Sequence, residues 1–227
     1  MKKLTNAKKR KIRRAFVLIM ASMVIALAVL SGVIKIITSI YDANQEEKYE
    51  FDYSRYAASK PHIKKMLLTE NINSRPGIEI SNINGIVIHY TANPGTDAEA
   101  NRNYFESRKD DADSIENKVS SHFIIGLDGT IVQCIPLNEM AYASKDRNVD
   151  TISIECCHPD DTGKFSDATY TALVQLSGWL CGKFEIGKNS IIRHYDVTGK
   201  LCPLYFVEHE DKWTQFLAEI ESELNKQ

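Results

Sequence analysis

The sequence predicts an α/β domain, a central mixed β-sheet flanked by helices, preceded by one N-terminal transmembrane helix. Three observations carry this. Short apolar runs alternate with stretches of helical periodicity from about Asn71 onward. An Asp128-Gly129 turn between two apolar runs adds an antiparallel pair to strands otherwise joined by helices. Ala15 to Ile34 is twenty residues without a charge, about the length a helix needs to cross a bilayer.

The ends of the chain differ in charge. Lys2, Lys3, Lys8, Lys9, Arg10, Lys11, Arg13 and Arg14 precede the apolar stretch with no acid among them, while Glu46, Glu47, Glu50 and Asp52 follow it. That asymmetry puts residues 1–14 in the cytoplasm, residues 15–34 across the membrane and everything after Lys35 outside, a single-pass protein of the cell membrane. A cleaved signal peptide is the alternative, but its apolar core is usually shorter, about 7 to 15 residues. The net charge is −2 for 227 residues, so the chain beyond the basic segment stands at −10, which argues against a nucleic-acid partner. Residues 35–70 are polar and mixed in charge, with scattered aromatics, and read as an extracytoplasmic tether. The domain then occupies 71–227 and is expected to be a monomer.

Within the domain, Ser74-Arg75-Pro76-Gly77 marks a turn. Gly85 to Tyr90 is a buried strand ending beside His89. Thr96-x-x-Glu99 reads as a capping box opening a helix through Tyr104 and Phe105. Phe123 to Leu127 and Thr130 to Ile135 form a hairpin around Asp128-Gly129, with the signature of a type I′ turn. Thr151 to Cys157 alternates, placing Ser153, Glu155 and Cys157 on one face. After Ser166, Tyr170, Leu173, Val174, Ser177, Leu180 and Cys181 keep helical spacing. Ile191 to Arg193 is a further strand, and Trp213, Phe216, Leu217, Ile220 and Leu224 mark a closing amphipathic helix.

Five cysteines, Cys134, Cys156, Cys157, Cys181 and Cys202, are an odd count for a domain outside the membrane, where pairing is expected. A metal would account for one of them. The stretch from Arg193 to Pro203 holds His194, Lys200 and Cys202, and His89 ends another apolar strand. Two neutral imidazoles and a thiolate suit Zn²⁺, and three protein ligands leave a tetrahedral position for water, the pattern of hydrolytic zinc. Glu155, on a strand between apolar neighbours, suits a general base, and Lys200, two residues before Cys202 in an extended loop, suits an oxyanion partner. Each residue also has a plainer role open to it: a hydrogen-bonded structural histidine, a solvated glutamate, a surface lysine. His122 and His158 are placed near the cleft, His62 and His209 on the surface. No HExxH, GxSxG or P-loop pattern occurs.

Taken together, Gly85-Ile86-Val87-Ile88-His89-Tyr90-Thr91-Ala92, Val119-Ser120-Ser121-His122-Phe123-Ile124-Ile125, Asp128-Gly129-Thr130, Thr151-Ile152-Ser153-Ile154-Glu155 and His194-Tyr195-Asp196 through Lys200-Leu201-Cys202-Pro203 resemble the zinc N-acetylmuramoyl-L-alanine amidases. These belong with the phage lysozyme-type amidases and animal peptidoglycan recognition proteins. The resemblance covers about residues 71 to 225. It implies Zn²⁺ on His89, His194 and Cys202, a catalytic lysine at Lys200, and at Glu155 the catalytic glutamate of the bacterial branch. Where phage and animal members often carry a catalytic tyrosine, this chain has Ser121, which leaves Glu155 as the base. The family's Trp-His-Ala-Gly-like segment appears only as Ala141-Tyr142-Ala143-Ser144. Tyr90, His122, Tyr142, Asn148 and His158 are the expected substrate-groove residues, with peptidoglycan and muropeptides as ligands. A receptor that binds muropeptides without cutting them, and a thiol hydrolase using Cys156 or Cys157 with His158, are the competing readings.

Overall fold

The computed structural model describes Met20, Met23, Gly32, Val33 and Lys35, all helical, and residues 60–224. The chain divides into two compact units, Met1–Phe51 and Asp52–Gln227. The expected basic segment and most of the expected membrane span lie outside the described residues. Among the described residues, no helix is long and apolar enough to cross a membrane.

The second unit is built on a six-stranded sheet. Its strands are β1 (Ile63–Lys65), β2 (Gly85–Tyr90), β3 (Phe123–Ile125), β4 (Ile131–Gln133), β5 (Thr151–Cys156) and β6 (Ile191–Arg193), in the spatial order β1-β4-β3-β5-β2-β6. Only β3 and β4 pair antiparallel, so the sheet is mixed as expected. β2, β3, β5 and β6 point the same way, and the site gathers at the C-terminal ends of β2, β5 and β6. The interior strands β2 and β5 are buried on both faces; β2 reads accordingly as an apolar run, while β5 keeps its alternation because its polar residues Thr151 and Ser153 are buried as well. Gly85 is needed at the start of β2, because a Cβ there would stand 2.8 Å from the Ser190 carbonyl oxygen.

Helix α1 (Ala98–Ser107) covers one face, packing Ala98 and Phe105 with Leu68, Ile124, Val132, Ile135 and Cys157. Phe123 and Ile125, which alternate with Ile124 to the other face, are equally buried. There α2 (Asp167–Phe184) packs against β3 and against α5 (Glu210–Leu224). Between them lie two short helices, α3 (His194–Thr198) and α4 (Leu204–Glu208). Phe206 of α4 joins Phe165, Trp213 and Phe216 in one aromatic cluster, with ring centroids 5.3 to 5.5 Å apart. Burying each such side chain contributes about 1.5–3 kcal/mol.

Four local expectations need correction. The sheet begins at Ile63, and Leu68 is 1% exposed core, so the tether ends before β1 and the domain does not start at 71. The cap of α1 is Asp97, whose Oδ1 accepts from Ala100 N at 2.7 Å, while Thr96 donates to the Asn93 carbonyl. In the hairpin, of the central turn residues only Gly129 has positive φ (82°), with Gly129 N donating to Gly126 O and Gly126 N to Thr130 O. This is a turn closed by a left-handed glycine rather than type I′. Finally, the segment after β6 is not extended: α3 fills residues 194–198 and Cys202 N bonds back to Lys200 O at 2.7 Å.

Candidate active site

His89 and Glu155 are directly opposite each other on β2 and β5, and both project at the C-terminal edge of the sheet. His194 opens α3 immediately after β6, and its place is fixed by Arg193. That buried guanidinium donates to both Asp196 carboxylate oxygens (3.1 and 2.9 Å), to the Phe206 carbonyl and to Glu210, while Asp196 Oδ2 also accepts from Arg193 N at 2.8 Å. The loop after α3 then returns Cys202 to the sheet, where Tyr195 N bonds the Cys202 carbonyl at 2.9 Å.

One donor atom from each of His89, His194 and Cys202 lies within 4.8 Å of the others. Cys202 Sγ is 3.9 Å from His89 Nδ1, and the two imidazole centroids are 4.6 Å apart. Glu155 Oε1 stands 4.0 Å from His89 Nδ1 and is not a member of the three-donor cluster. The three residues expected to share a metal are therefore brought together, with the carboxyl beside them.

The electrostatics prepare these groups for a cation. Burial holds His89 well below its ordinary value, helped by His194 and Lys200; burial, then Lys200 and Lys145, lower His194 to about 4. Both rings are neutral near pH 7 and keep a lone pair free. Burial pushes the Cys202 thiol up to about 12, seconded by the charge of Glu155 and opposed by a hydrogen bond from the Tyr90 backbone N–H and by Lys200. Burial also raises Glu155 to about 8 against the pull of Lys200. His194 Nδ1 and Glu155 Oε2 are buried with no hydrogen-bond partner. Orphaned acceptors of this kind, next to a soft sulfur, are what a zinc-type cation would satisfy, so the residues fit one.

The other expected site residues divide. Lys200 is solvent-exposed on the loop, its charge felt by His89, His194, Glu155 and Cys202. Tyr90 is half-buried, its ring 5.0 Å from that of His158. His158 is 1% exposed, with Nδ1 bonded to the Asp160 carbonyl at 2.7 Å and Nε2 unpartnered. Tyr142 is half-buried beneath the Lys118 ammonium, 5.5 Å from the ring centre. His122 is a strut instead of a groove residue: Nε2 bonds the Glu139 carbonyl at 2.8 Å, and Nδ1 meets Ser153 N and Oγ at 3.0 Å. Asn148 is likewise structural, its Oδ1 accepting from Ala143 N and Ser144 N at 3.0 and 2.5 Å. Ser121, in place of the tyrosine, is fully buried and donates to the Phe123 and Ser153 carbonyls.

All five cysteines are free and buried. Cys157 is pushed up to about 12, mainly by burial, and Cys156 is raised well above its ordinary value for the same reason. Both are fully buried, and this burial disfavours a thiolate and leaves no open face for a substrate, which counts against the thiol-hydrolase reading. Two residues near the ligands escaped the sequence reading. Ser144 Oγ lies 3.2 Å from His89 Nε2, and Lys145 acts electrostatically on His194. Ser144 closes the Ala141-Tyr142-Ala143-Ser144 segment and Lys145 follows it, and that position was the one hint at either.

Comparison with known proteins bears on the fold and the family. CwlL, an N-acetylmuramoyl-L-alanine amidase of Bacillus licheniformis, is 33% identical over 174 residues, covering 70% of this chain and 47% of that protein. BlyA of Bacillus subtilis (strain 168), also an N-acetylmuramoyl-L-alanine amidase, is 30% identical over 176 residues, 68% of this chain and 46% of that protein. The chain thus spans about half the length of the curated relatives it matches. Among solved structures, the catalytic domain of XlyA superposes with a TM-score of 0.58 at 28% identity, covering 70% of this chain and 99% of that one. PlyL, at 24% identity and a TM-score of 0.60, shares the fold over 70% of this chain and 97% of its own. Residues 79–204, which contain every residue of the cluster and Glu155, match the N-acetylmuramoyl-L-alanine amidase family model, and the chain belongs to that family.

Proposed function

We propose that this chain hydrolyses the amide joining the lactyl group of N-acetylmuramic acid to L-alanine in peptidoglycan, with zinc held by His89, His194 and Cys202. The observation that carries the reading is the convergence of two neutral imidazoles and a thiol within 4.8 Å, with the Glu155 carboxyl alongside. The chemistry an ion supplies there is Lewis acidity toward a carbonyl and toward water.

The chain's own residues do the rest. Glu155, raised by burial into the range where a carboxyl both takes and gives a proton, accepts one from the attacking water and returns it to the departing L-alanine nitrogen. Lys200, exposed at the mouth, steadies the oxyanion that forms on the scissile carbonyl. Tyr90 and Tyr142, both half-buried, orient the muropeptide, and His158, buried against the Tyr90 ring, supports that ring from behind. In this reading residues 1–14 are cytoplasmic and 15–34 span the membrane. The domain, acting as a monomer, works outside on wall beside its anchor.

The test uses the purified full chain with isolated wall. Bound zinc near one equivalent and the appearance of new L-alanine amino termini are expected. Wall binding with no new amino termini would assign the groove to a receptor instead.

A further inference from the structure

His89 has two ring nitrogens with different surroundings. Nδ1 faces Cys202 Sγ at 3.9 Å and Glu155 Oε1 at 4.0 Å, while Nε2 faces Ser144 Oγ at 3.2 Å. A neutral imidazole carries its proton on one nitrogen and a lone pair on the other, so only the Nε2–H form can offer Nδ1 to a cation. Ser144 Oγ is within hydrogen-bond distance of Nε2, and by accepting from Nε2–H it would favour that form, whereas donating its own proton to a bare Nε2 would favour the other. Ser144 is 1% exposed, so the pair is closed to solvent that could substitute for it.

The turn bearing Ser144 is anchored at several points. Asn148 Oδ1 accepts from both Ala143 N and Ser144 N, and Thr151 at the start of β5 donates its hydroxyl to the Arg147 carbonyl at 2.6 Å. Arg147 also grips Asp150 through two bonds of 2.8 and 3.1 Å. Next to Ser144, Lys145 holds φ at 52°, a left-handed conformation that non-glycine residues seldom adopt. The 3-10 turn Lys145–Val149 therefore sets a local backbone shape that propensity alone would not choose.

We propose that Ser144 is a positioning residue that holds His89 as its Nε2–H tautomer and so presents Nδ1 to the metal, with Asn148 fixing Ser144 in place. The inference rests on the zinc reading above and adds to it an orienting group from outside the ligand set. Hydrogen-bond partners of ligating histidines raise affinity by about 10–100-fold.

The experiment compares the full chain with Ser144→Ala. Zinc dissociation constants are measured by competition with a chelator, metal-free melting temperatures are recorded, and long-range proton–nitrogen NMR reads the His89 tautomer in the metal-free parent. Expected are a dissociation constant about 10–100-fold weaker in Ser144→Ala, little change in metal-free melting, and a parent His89 protonated on Nε2. A dissociation constant within twofold of the parent, or a parent His89 protonated on Nδ1, overturns the assignment. Should the parent bind no zinc, the metal reading itself fails, while the tautomer measurement still decides the role of Ser144.

Discussion

His89 and Glu155 face each other as register partners on adjacent parallel strands, with Nδ1 and Oε1 4.0 Å apart. The sheet itself therefore sets a candidate ligand nitrogen and a carboxyl side by side, and neither relies on a loop to reach the other. Because Glu155 is separate from the three-donor cluster, Glu155→Gln should leave zinc content unchanged and lower the rate by about 10²-fold or more. Metal analysis and amine release on the same preparation check this. Retained hydrolysis removes Glu155 as the base.

The metal-free site makes a stability prediction with opposed signs. Glu155 is raised from 4.5 to about 8, so between those values the folded state binds a proton that the unfolded chain has lost, and stability falls as pH rises. His89 and His194 are lowered from 6.5, so below 6.5 the unfolded chain binds more protons than the fold, and stability rises with pH. With buried His122, also lowered to about 4, three histidines outweigh one carboxyl below about pH 6.8, and the carboxyl dominates above it. The chelator-treated chain should melt highest at about pH 6.5–7. Its decline toward pH 8, at most about 1.4 kcal/mol per pH unit, should vanish in Glu155→Gln.

The parts of this arrangement that sequence reveals are those with a local signature. β2 is an apolar run, β5 alternates strictly, α2 keeps its period behind Ser166, and His194 and Cys202 sit eight residues apart in one segment. β1 was illegible because Ile63-Lys64-Lys65 holds one apolar residue, and its strand character comes from pairing with Ile131, Val132 and Gln133 of β4. His122 looked like a groove residue because a histidine at a strand end has no local mark of being internally bonded. Its partners, Ser153 and Glu139, are 31 and 17 residues away. The Ser144 contact crosses 55 residues and leaves no trace in either segment.

Metal binding should expel protons in a countable way. Both imidazoles are already neutral at pH 7, whereas the Cys202 thiol, near 12 in the metal-free fold, must lose its proton to ligate. A cation also favours the charged form of Glu155. Calorimetry of Zn²⁺ binding in buffers of different ionisation enthalpy should therefore show between one and two protons released for the parent and one for Glu155→Gln. Cys202→Ser and His194→Ala should lose metal and activity together. A parent that releases no proton contradicts ligation by Cys202.

Lys200 pulls the Glu155 carboxyl down against burial. Its removal in Lys200→Met should move the acid limb of the kcat/KM profile to higher pH. It should also lower kcat by about 10- to 100-fold, with zinc content unchanged, because an oxyanion partner acts mainly in the transition state. A limb that stays in place shows that the lysine charge is screened from the carboxyl.

Arg193 precedes the candidate ligand His194 and is 8% exposed, bonded at once to Asp196, Glu210 and the Phe206 carbonyl. It ties the start of α3 to α4 and α5, so its loss should loosen the backbone that aims the His194 ring. Glu210 is 66% exposed and adds little, so the cost of Arg193→Met lies mostly in the Asp196 and Phe206 bonds, about 2 kcal/mol. The appropriate contrast is Arg102→Met, which breaks bonds of 2.9 and 2.7 Å to the Met66 and Leu67 carbonyls on the far side of the sheet's order, beside β1. Both variants should melt lower by several degrees, about 2–4 °C per kcal/mol. Only Arg193→Met should weaken zinc binding as well, since only there does the lost support adjoin a ligand. Equal zinc affinity in the two variants would mean that α3 is held by its own packing and that the guanidinium serves stability alone.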